Sequence, residues 1–133
     1  MFGYTVHNGI IEFDFEEMEE FKKWVDTYYW GELVRIIEKN ARGYIEVEFS
    51  KNYPTRGYIC GISVDPSERL KGIGTALARE AEAVIKSRGL KYAYLYVDKD
   101  KEQNRVFWEK NGYKYLEYLD DKESKYYYYL KEL

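Results

Sequence analysis

GYICGISVDPSERLKGIGT, residues 57–75, holds the change of pattern on which the reading of this chain turns. Tyr58 to Val64 is an apolar run rich in β-branched and aromatic residues, the composition of a buried strand. Asp65-Pro66 ends it, because proline has no N–H for a ladder and restricts the residue before it. A charged loop, Ser67 to Lys71, leads to Gly72-Ile73-Gly74. From there the apolar residues fall at helical spacing: Ile73, Ala76, Leu77, Ala81, Val84, Ile85. A strand therefore feeds a glycine-containing loop that opens onto a helix N-terminus. Such an end carries unpaired N–H groups and the positive pole of the helix dipole, and both suit a phosphate. Glycine allows close approach of a ligand to the backbone, and Arg69 and Lys71 add positive charge. A G-x-G at a helix start is by itself more often a plain turn, and the spacing is neither that of a Walker loop nor that of a dinucleotide fingerprint.

Upstream, Tyr44 to Phe49 alternates strictly, with Glu46 and Glu48 on one face and Ile45, Val47 and Phe49 on the other. That predicts a half-buried antiparallel strand. With Glu32 to Ile37 and the central strand it makes a meander. Met18, Phe21, Trp24, Val25 and Tyr28 recur with helical period, so residues 15–29 are an amphipathic helix opened by the capping box Asp14 and Glu17. Before it, Phe2 to Val6 and Ile10 to Phe13 flank Asn8-Gly9, a hairpin signal, with His7 in the turn.

Downstream, the helix from Ile73 ends at Arg88-Gly89, a basic last turn followed by a C′ glycine. Tyr92 to Val97 is a strand parallel to the central one by the crossover rule. Lys101 to Lys110 is a short helix with Val106 and Phe107 facing inward. Tyr113 to Leu119 and Lys125 to Leu130 are two strands joined by residues 120–124, and the tyrosine-rich last strand offers an edge to a second copy. A monomer and a homodimer both fit.

No repeat, linker or low-complexity tract divides the 133 residues, so residues 1–133 read as one α/β (α+β) domain. The only cysteine, Cys60, lies inside the central strand and is a small core residue without an internal partner. No apolar run reaches membrane length, and the N-terminus lacks a basic region followed by a long apolar one, so neither a signal peptide nor a membrane span is expected, and a cytoplasmic protein without a membrane partner is. A net charge of −3 does not favour nucleic acid. The Lys and Glu bias, with one Gln and two Met, leans towards a thermophile source.

Val64-Asp65-Pro66 with Arg69, Lys71, Gly72, Ile73 and Gly74 resembles the acyl-CoA loop of the GNAT superfamily of N-acetyltransferases. Phe107-Trp108-Glu109-Lys110-Asn111-Gly112-Tyr113 resembles that family's aromatic-Glu-Lys-x-Gly-aromatic segment, and the interval between the two also fits. The resemblance is strongest over residues 57–133. It implies the GNAT fold: a mixed, mostly antiparallel central sheet with a splayed parallel strand pair, flanked by helices. It implies acetyl-CoA as co-substrate, no metal, and a small-molecule or peptide amine as acceptor. Backbone groups of Ile62 and Val64 would pair with the pantetheine arm, one N–H polarising the thioester carbonyl. The pyrophosphate would lie on the loop of Arg69, Leu70, Lys71, Gly72, Ile73, Gly74 and Thr75, with Leu70 at a place that is often glycine.

The acid and base depart from the family pattern. The glutamate and tyrosine of the N-terminal acetyltransferase branch are replaced here by Tyr96 and Trp108, and the usual asparagine by Lys101, with Asn104 one turn further on. Asn104 and Trp108 fall on the cofactor side. Tryptophan donates only an N–H and cannot protonate a leaving thiolate. Tyr96, Glu48 and Glu46 are the candidate bases. Three readings stay open: an acetyl-CoA-dependent N-acetyltransferase working by direct attack in a ternary complex, a non-catalytic CoA-binding sensor or interaction protein of the same fold, and a phosphate-binding α/β module outside the family.

Overall fold

The alternation and spacing described above produce the elements they predict over most of the described chain. The computed structural model describes residues 2–3, 6–7, 10–11, 31–38, 40–50 and 53–133. The helix expected over residues 15–29 lies outside them, as does the Asn8-Gly9 turn. Strands β1 (Phe2–Gly3), β2 (Val6–His7) and β3 (Ile10–Ile11) open the chain. In the β2–β3 pair His7 stands opposite Ile10, so it closes a strand instead of sitting in the turn. The two-residue gap is the hairpin length that Asn-Gly favours.

The expected meander is formed by β4 (Gly31–Glu38), β5 (Gly43–Ser50) and β6 (Arg56–Val64). Ile45, Val47 and Phe49 of β5 point into the core while Glu46 and Glu48 stay half-buried on the other face. Helix α1 (Ile73–Ser87) then crosses over and delivers β7 (Tyr92–Asp98) parallel to β6. Its buried stripe of Leu77, Ala78, Ala81 and Ile85 shares one core with Val34, Ile36, Ile45, Val47 and Ile59. The helix stops where Gly89 takes a left-handed backbone, φ 76°. Helix α2 (Glu102–Lys110), β8 (Lys114–Tyr115) and β9 (Tyr126–Glu132) complete the chain. Among the described residues the sheet runs β1-β4-β5-β6-β7-β9-β8, mixed and mostly antiparallel, with β6–β7 its parallel pair. No helix among them is long and apolar enough to cross a membrane.

Three local expectations are corrected. The strand expected over Tyr113 to Leu119 is a strand only at Lys114–Tyr115, followed by a 3-10 turn at Glu117–Leu119 closed by Leu119 N–H to Leu116 O. Tyr113 leaves the ladder because its ring is drawn under α1, where its hydroxyl donates to Glu82 at 2.9 Å. Strand β9 lies between β7 and β8, so the tyrosine-rich strand is not a free edge over that length. On α2 the buried residue is Trp108, 4% exposed, whereas Val106 is 42% exposed. Two residues are about 200° apart on a helix, so a buried Trp108 turns Val106 outward.

A polar cluster fixes α2 relative to the sheet. The buried Glu82 carboxylate accepts from Arg79 Nη1 at 2.7 Å and Lys131 Nζ at 3.0 Å, as well as from Tyr113. Arg79 and Lys131 also donate to Asn111 at the end of α2, at 3.0 Å each. A paired and fully hydrogen-bonded charge is tolerable inside a protein, and breaking such a set is costly.

Gly57 meets the tightest packing at the α1–sheet contact. A Cβ there would stand 2.4 Å from Ile85 Cγ1, and Ile85 is fully buried. Gly57→Ala is expected to destabilise the protein by about 1–3 kcal/mol, the range for overpacking a core. Urea unfolding of parent and variant checks this, and a change below about 0.5 kcal/mol would contradict it.

Candidate functional site

Strands β6 and β7 pair only at Arg56–Tyr92, Gly57–Ala93 and Tyr58–Tyr94, and beyond that they part. The cause lies in β6. Val47 of β5 stands opposite Ile59, but Glu46 stands opposite Gly61, so Cys60 is an extra residue in the ladder. Such a bulge bends its strand and ends regular pairing. Past the bulge, Asp65 N–H donates to Arg42 O on the β5 side at 2.8 Å. Strand alternation therefore turns the N–H and C=O groups of Val64 and Ile62 toward the gap. The gap widens into a groove of about 910 Å³ walled by the parted ends of β6 and β7, the loop after Pro66, the start of α1, and α2. Cys60 borders it, but burial pushes its thiol up to about 12, so it stays protonated and is not a nucleophile.

The loop at the mouth offers backbone donors. The first bond of α1 runs from Ala76 N–H to Gly72 O at 3.0 Å. The N–H groups of Leu70, Lys71, Gly72, Ile73, Gly74 and Thr75 meet no acceptor among the described residues. Leu70 (φ 66°) and Gly72 (φ 81°) both hold left-handed backbone. Gly74 is needed for a different reason: a Cβ there would stand 3.2 Å from the Phe107 ring, where α1 closes on α2. The charged residues of the loop are engaged locally. Lys71 Nζ pairs with Glu68 at 2.9 Å, and Arg69 Nε donates to Val64 O at 3.3 Å. Lys71 is thus neutralised by Glu68, while Arg69 keeps its charge, so anion-binding capacity at this end rests on the row of N–H groups and on Arg69. Asn104 and Trp108 of α2 border the same groove, Trp108 edge-on to Phe107 at 4.9 Å and Tyr113 at 5.0 Å.

On the opposite face of the sheet lies a smaller pocket of about 260 Å³, lined by Glu48, Tyr53, Arg56, Tyr58, Tyr94 and Tyr96 among others. Tyr96 borders both spaces. It stacks on Tyr58 at 5.5 Å and tilts against Tyr126 at 4.6 Å, so its ring is held by neighbours on two strands. Of the candidate bases, Tyr96 and Glu48 come together in this pocket. Burial raises the Glu48 carboxyl above its ordinary 4.5. Glu46 borders neither space and is paired with Arg35 at 3.5 Å. Arg56, Tyr58 and Tyr94 carry no motif that singles them out in the sequence. The one signal is the alternation Arg56-x-Tyr58 and Tyr94-x-Tyr96 on the two parallel strands, which puts all four on one face.

A parallel pair parted by a bulge, over a loop of free N–H groups at a helix start, defines the GNAT fold. The model of the acetyltransferase (GNAT) family matches residues 5–113, and the chain belongs to that family. Among solved structures it is similar to the PaiA N-acetyltransferase of Thermoplasma acidophilum in complex with coenzyme A, 21% identical over 89% of this chain and 70% of that one, TM-score 0.66. An acetyltransferase from Thermus thermophilus is 13% identical over 89% and 74%, TM-score 0.70. Nourseothricin acetyltransferase is 20% identical, TM-score 0.59, and the alignment covers 74% of this chain but only 62% of the other's length. No curated protein matches the chain.

Leu70 is fully exposed, so its side chain contributes no packing to offset its left-handed backbone. That conformation costs an L-residue roughly 1–2 kcal/mol, while glycine loses about 0.5–1 kcal/mol of extra chain entropy on folding. Leu70→Gly is therefore expected to be neutral or stabilising by up to about 1 kcal/mol. Thermal unfolding tests this; a lowered Tm would show that Leu70 has a contact its exposure does not reveal.

Proposed function

We propose that the chain acts as one acyl-CoA N-acyltransferase domain that moves an acetyl group from acetyl-CoA to a primary amine, by direct attack within a ternary complex. The observation that carries this reading is that Tyr96 borders both spaces. One side chain lies between a groove with unpaired backbone donors and a pocket holding a half-buried carboxylate.

Acetyl-CoA supplies an acetyl group activated as a thioester. The N–H groups of Leu70 to Thr75 would hold its diphosphate. Ile62 and Val64 would take the pantetheine arm as a further strand, and an N–H aimed at the thioester oxygen stabilises developing charge by a few kcal/mol. Asn104 and Trp108 would border the thiol end. Glu48 and Tyr96 serve the acceptor: the ammonium loses its proton to Glu48, directly or through the Tyr96 hydroxyl and water. As the amine nitrogen bonds to the acetyl carbon, the C–S bond breaks, sulfur leaves with the electron pair, and the nitrogen's second proton passes through water to solvent or to the departed thiolate. A thiol has a pKa of about 8.5, so the thiolate departs near neutral pH without an acid, and Trp108 at the usual tyrosine place is compatible with turnover. The acceptor pocket lies below the roughly 300–1,000 Å³ of drug-sized sites, which favours a small amine over a folded partner. Trp108 also keeps alive a second reading, a CoA-binding sensor without turnover.

Calorimetry with acetyl-CoA on the parent and on the Gly72→Asp, Gly74→Asp double variant tests the groove. Binding is expected to the parent and lost in the variant, where carboxylates stand in the place of the diphosphate; a parent that does not bind would refute both CoA readings. Thiol release in the presence of amines separates transferase from sensor. In an active protein Tyr96→Phe and Glu48→Gln are each expected to lower kcat by about 10²-fold, the lower range for general acid–base groups. Because the raised Glu48 carboxyl becomes protonated as pH falls, the acid limb of kcat/KM should lie above 4.5 and vanish in Glu48→Gln.

A further inference from the structure

The acceptor pocket holds two opposite charges that do not meet. The Arg56 guanidinium is clamped between the rings of Tyr53 and Tyr94, its Cζ 4.0 Å and 3.9 Å from their centroids. Its Nε is buried and has no hydrogen-bond partner. No carboxylate among the described residues pairs with it. Across the pocket the Glu48 carboxylate likewise receives no hydrogen bond or ion pair from the described residues, and no ion pair joins it to Arg56. A partly buried charge without a counter-charge is costly, and the usual remedy is a partner of opposite sign. Stacking between two rings fixes the guanidinium plane and leaves its N–H edge free, the geometry that receives a planar carboxylate with two parallel bonds.

We propose that the acceptor is an amine that also carries a carboxylate, an amino acid, with Arg56 taking the carboxylate and Glu48 the ammonium. The pocket is complementary to a zwitterion because it presents a cation and an anion held apart within a small space. Tyr58, Tyr94 and Tyr96 line the same space with aromatic carbon, which suits a carbon skeleton. Arg56 is thus a specificity-determining residue, and Glu48 shares the pocket with Tyr96, which also borders the thioester groove. This assignment rests on the acetyltransferase reading.

The test compares amino acids with their decarboxylated amines as acceptors: lysine with cadaverine, leucine with isoamylamine, tyrosine with tyramine, histidine with histamine. Thiol release gives kcat/KM for each member of a pair. The parent should prefer the carboxylated member of at least one pair by 10-fold or more, through KM. Arg56→Gln should bring that ratio to about 1, and Arg56→Lys, which keeps the charge without the fork, should retain part of it. Calorimetry with the N-acetylated products gives a binding readout independent of turnover, and the same loss is expected in Arg56→Gln. Preference for the decarboxylated amines, no preference, or a preference that survives Arg56→Gln would overturn the assignment while leaving the transferase standing. Acetyl-CoA binding without turnover of either set, and without binding of the acetylated amino acids, would overturn it as well. A failure of acetyl-CoA to bind would instead remove the reading beneath it.

Discussion

Strands β6 and β7 pair through only three residues of each, and the site depends on that shortfall. A strand's N–H and C=O groups are obligatory hydrogen-bonding groups, so a parallel pair that closes at one end leaves a row of them available at the other. Here the extra residue at Cys60 breaks the register between β5 and β6. The β5 side of β6 stays paired up to Asp65, while Ile62 and Val64 face the gap. The same constraint puts the two spaces on opposite faces of one sheet with Tyr96 between them.

A gap between strands is useful only if its walls hold still. The far wall is α2, and it is tied down from two sides. Glu82, Arg79, Asn111, Lys131 and Tyr113 form one hydrogen-bonded cluster at its C-terminal end. Arg105 donates to the Tyr129 hydroxyl at 2.8 Å and lies over the Tyr127 ring, joining its middle to β9. Gly74 lets α1 close onto the Phe107 ring of α2. The rigidity of the groove is therefore built from long-range contacts that hold a short helix whose own sequence is weakly amphipathic.

What was legible in the sequence follows from range. The strand–loop–helix at residues 57–75, the alternation of β5 and the C′ glycine at 89 are local patterns, and the fold could be read from them together with the family resemblance. The bulge at Cys60 was not legible, because a two-against-one register is a property of two strands and not of either one. The meeting of Arg56 with Tyr94 escaped for the same reason: the two are far apart in the chain and come together only through the parallel crossover, while Tyr53, three residues before Arg56, carries no signal of its own. Val106 was misplaced because Val and Phe are the more ordinary core residues, whereas the cavity under α1 is filled by Trp108 and Tyr113. The stretch over residues 113–119 looked like a strand by composition, yet the Tyr113 hydroxyl found a buried carboxylate and local turn bonds took over.

The pairing of Lys71 with Glu68, and of Glu68 with Arg42 at 3.7 Å, gives the loop its own counter-anion before any ligand arrives. Arg69, whose Nε donates to a neutral carbonyl, keeps its full charge and is the one cation of the loop without a carboxylate beside it among the described residues. Pairing with Glu68 cancels most of the field of Lys71 and Arg42, so the long-range pull of the loop is chiefly that of Arg69. The row of N–H groups adds an attraction felt only at hydrogen-bond distance. A loop built this way would sort anions by shape more than a row of unpaired lysines could.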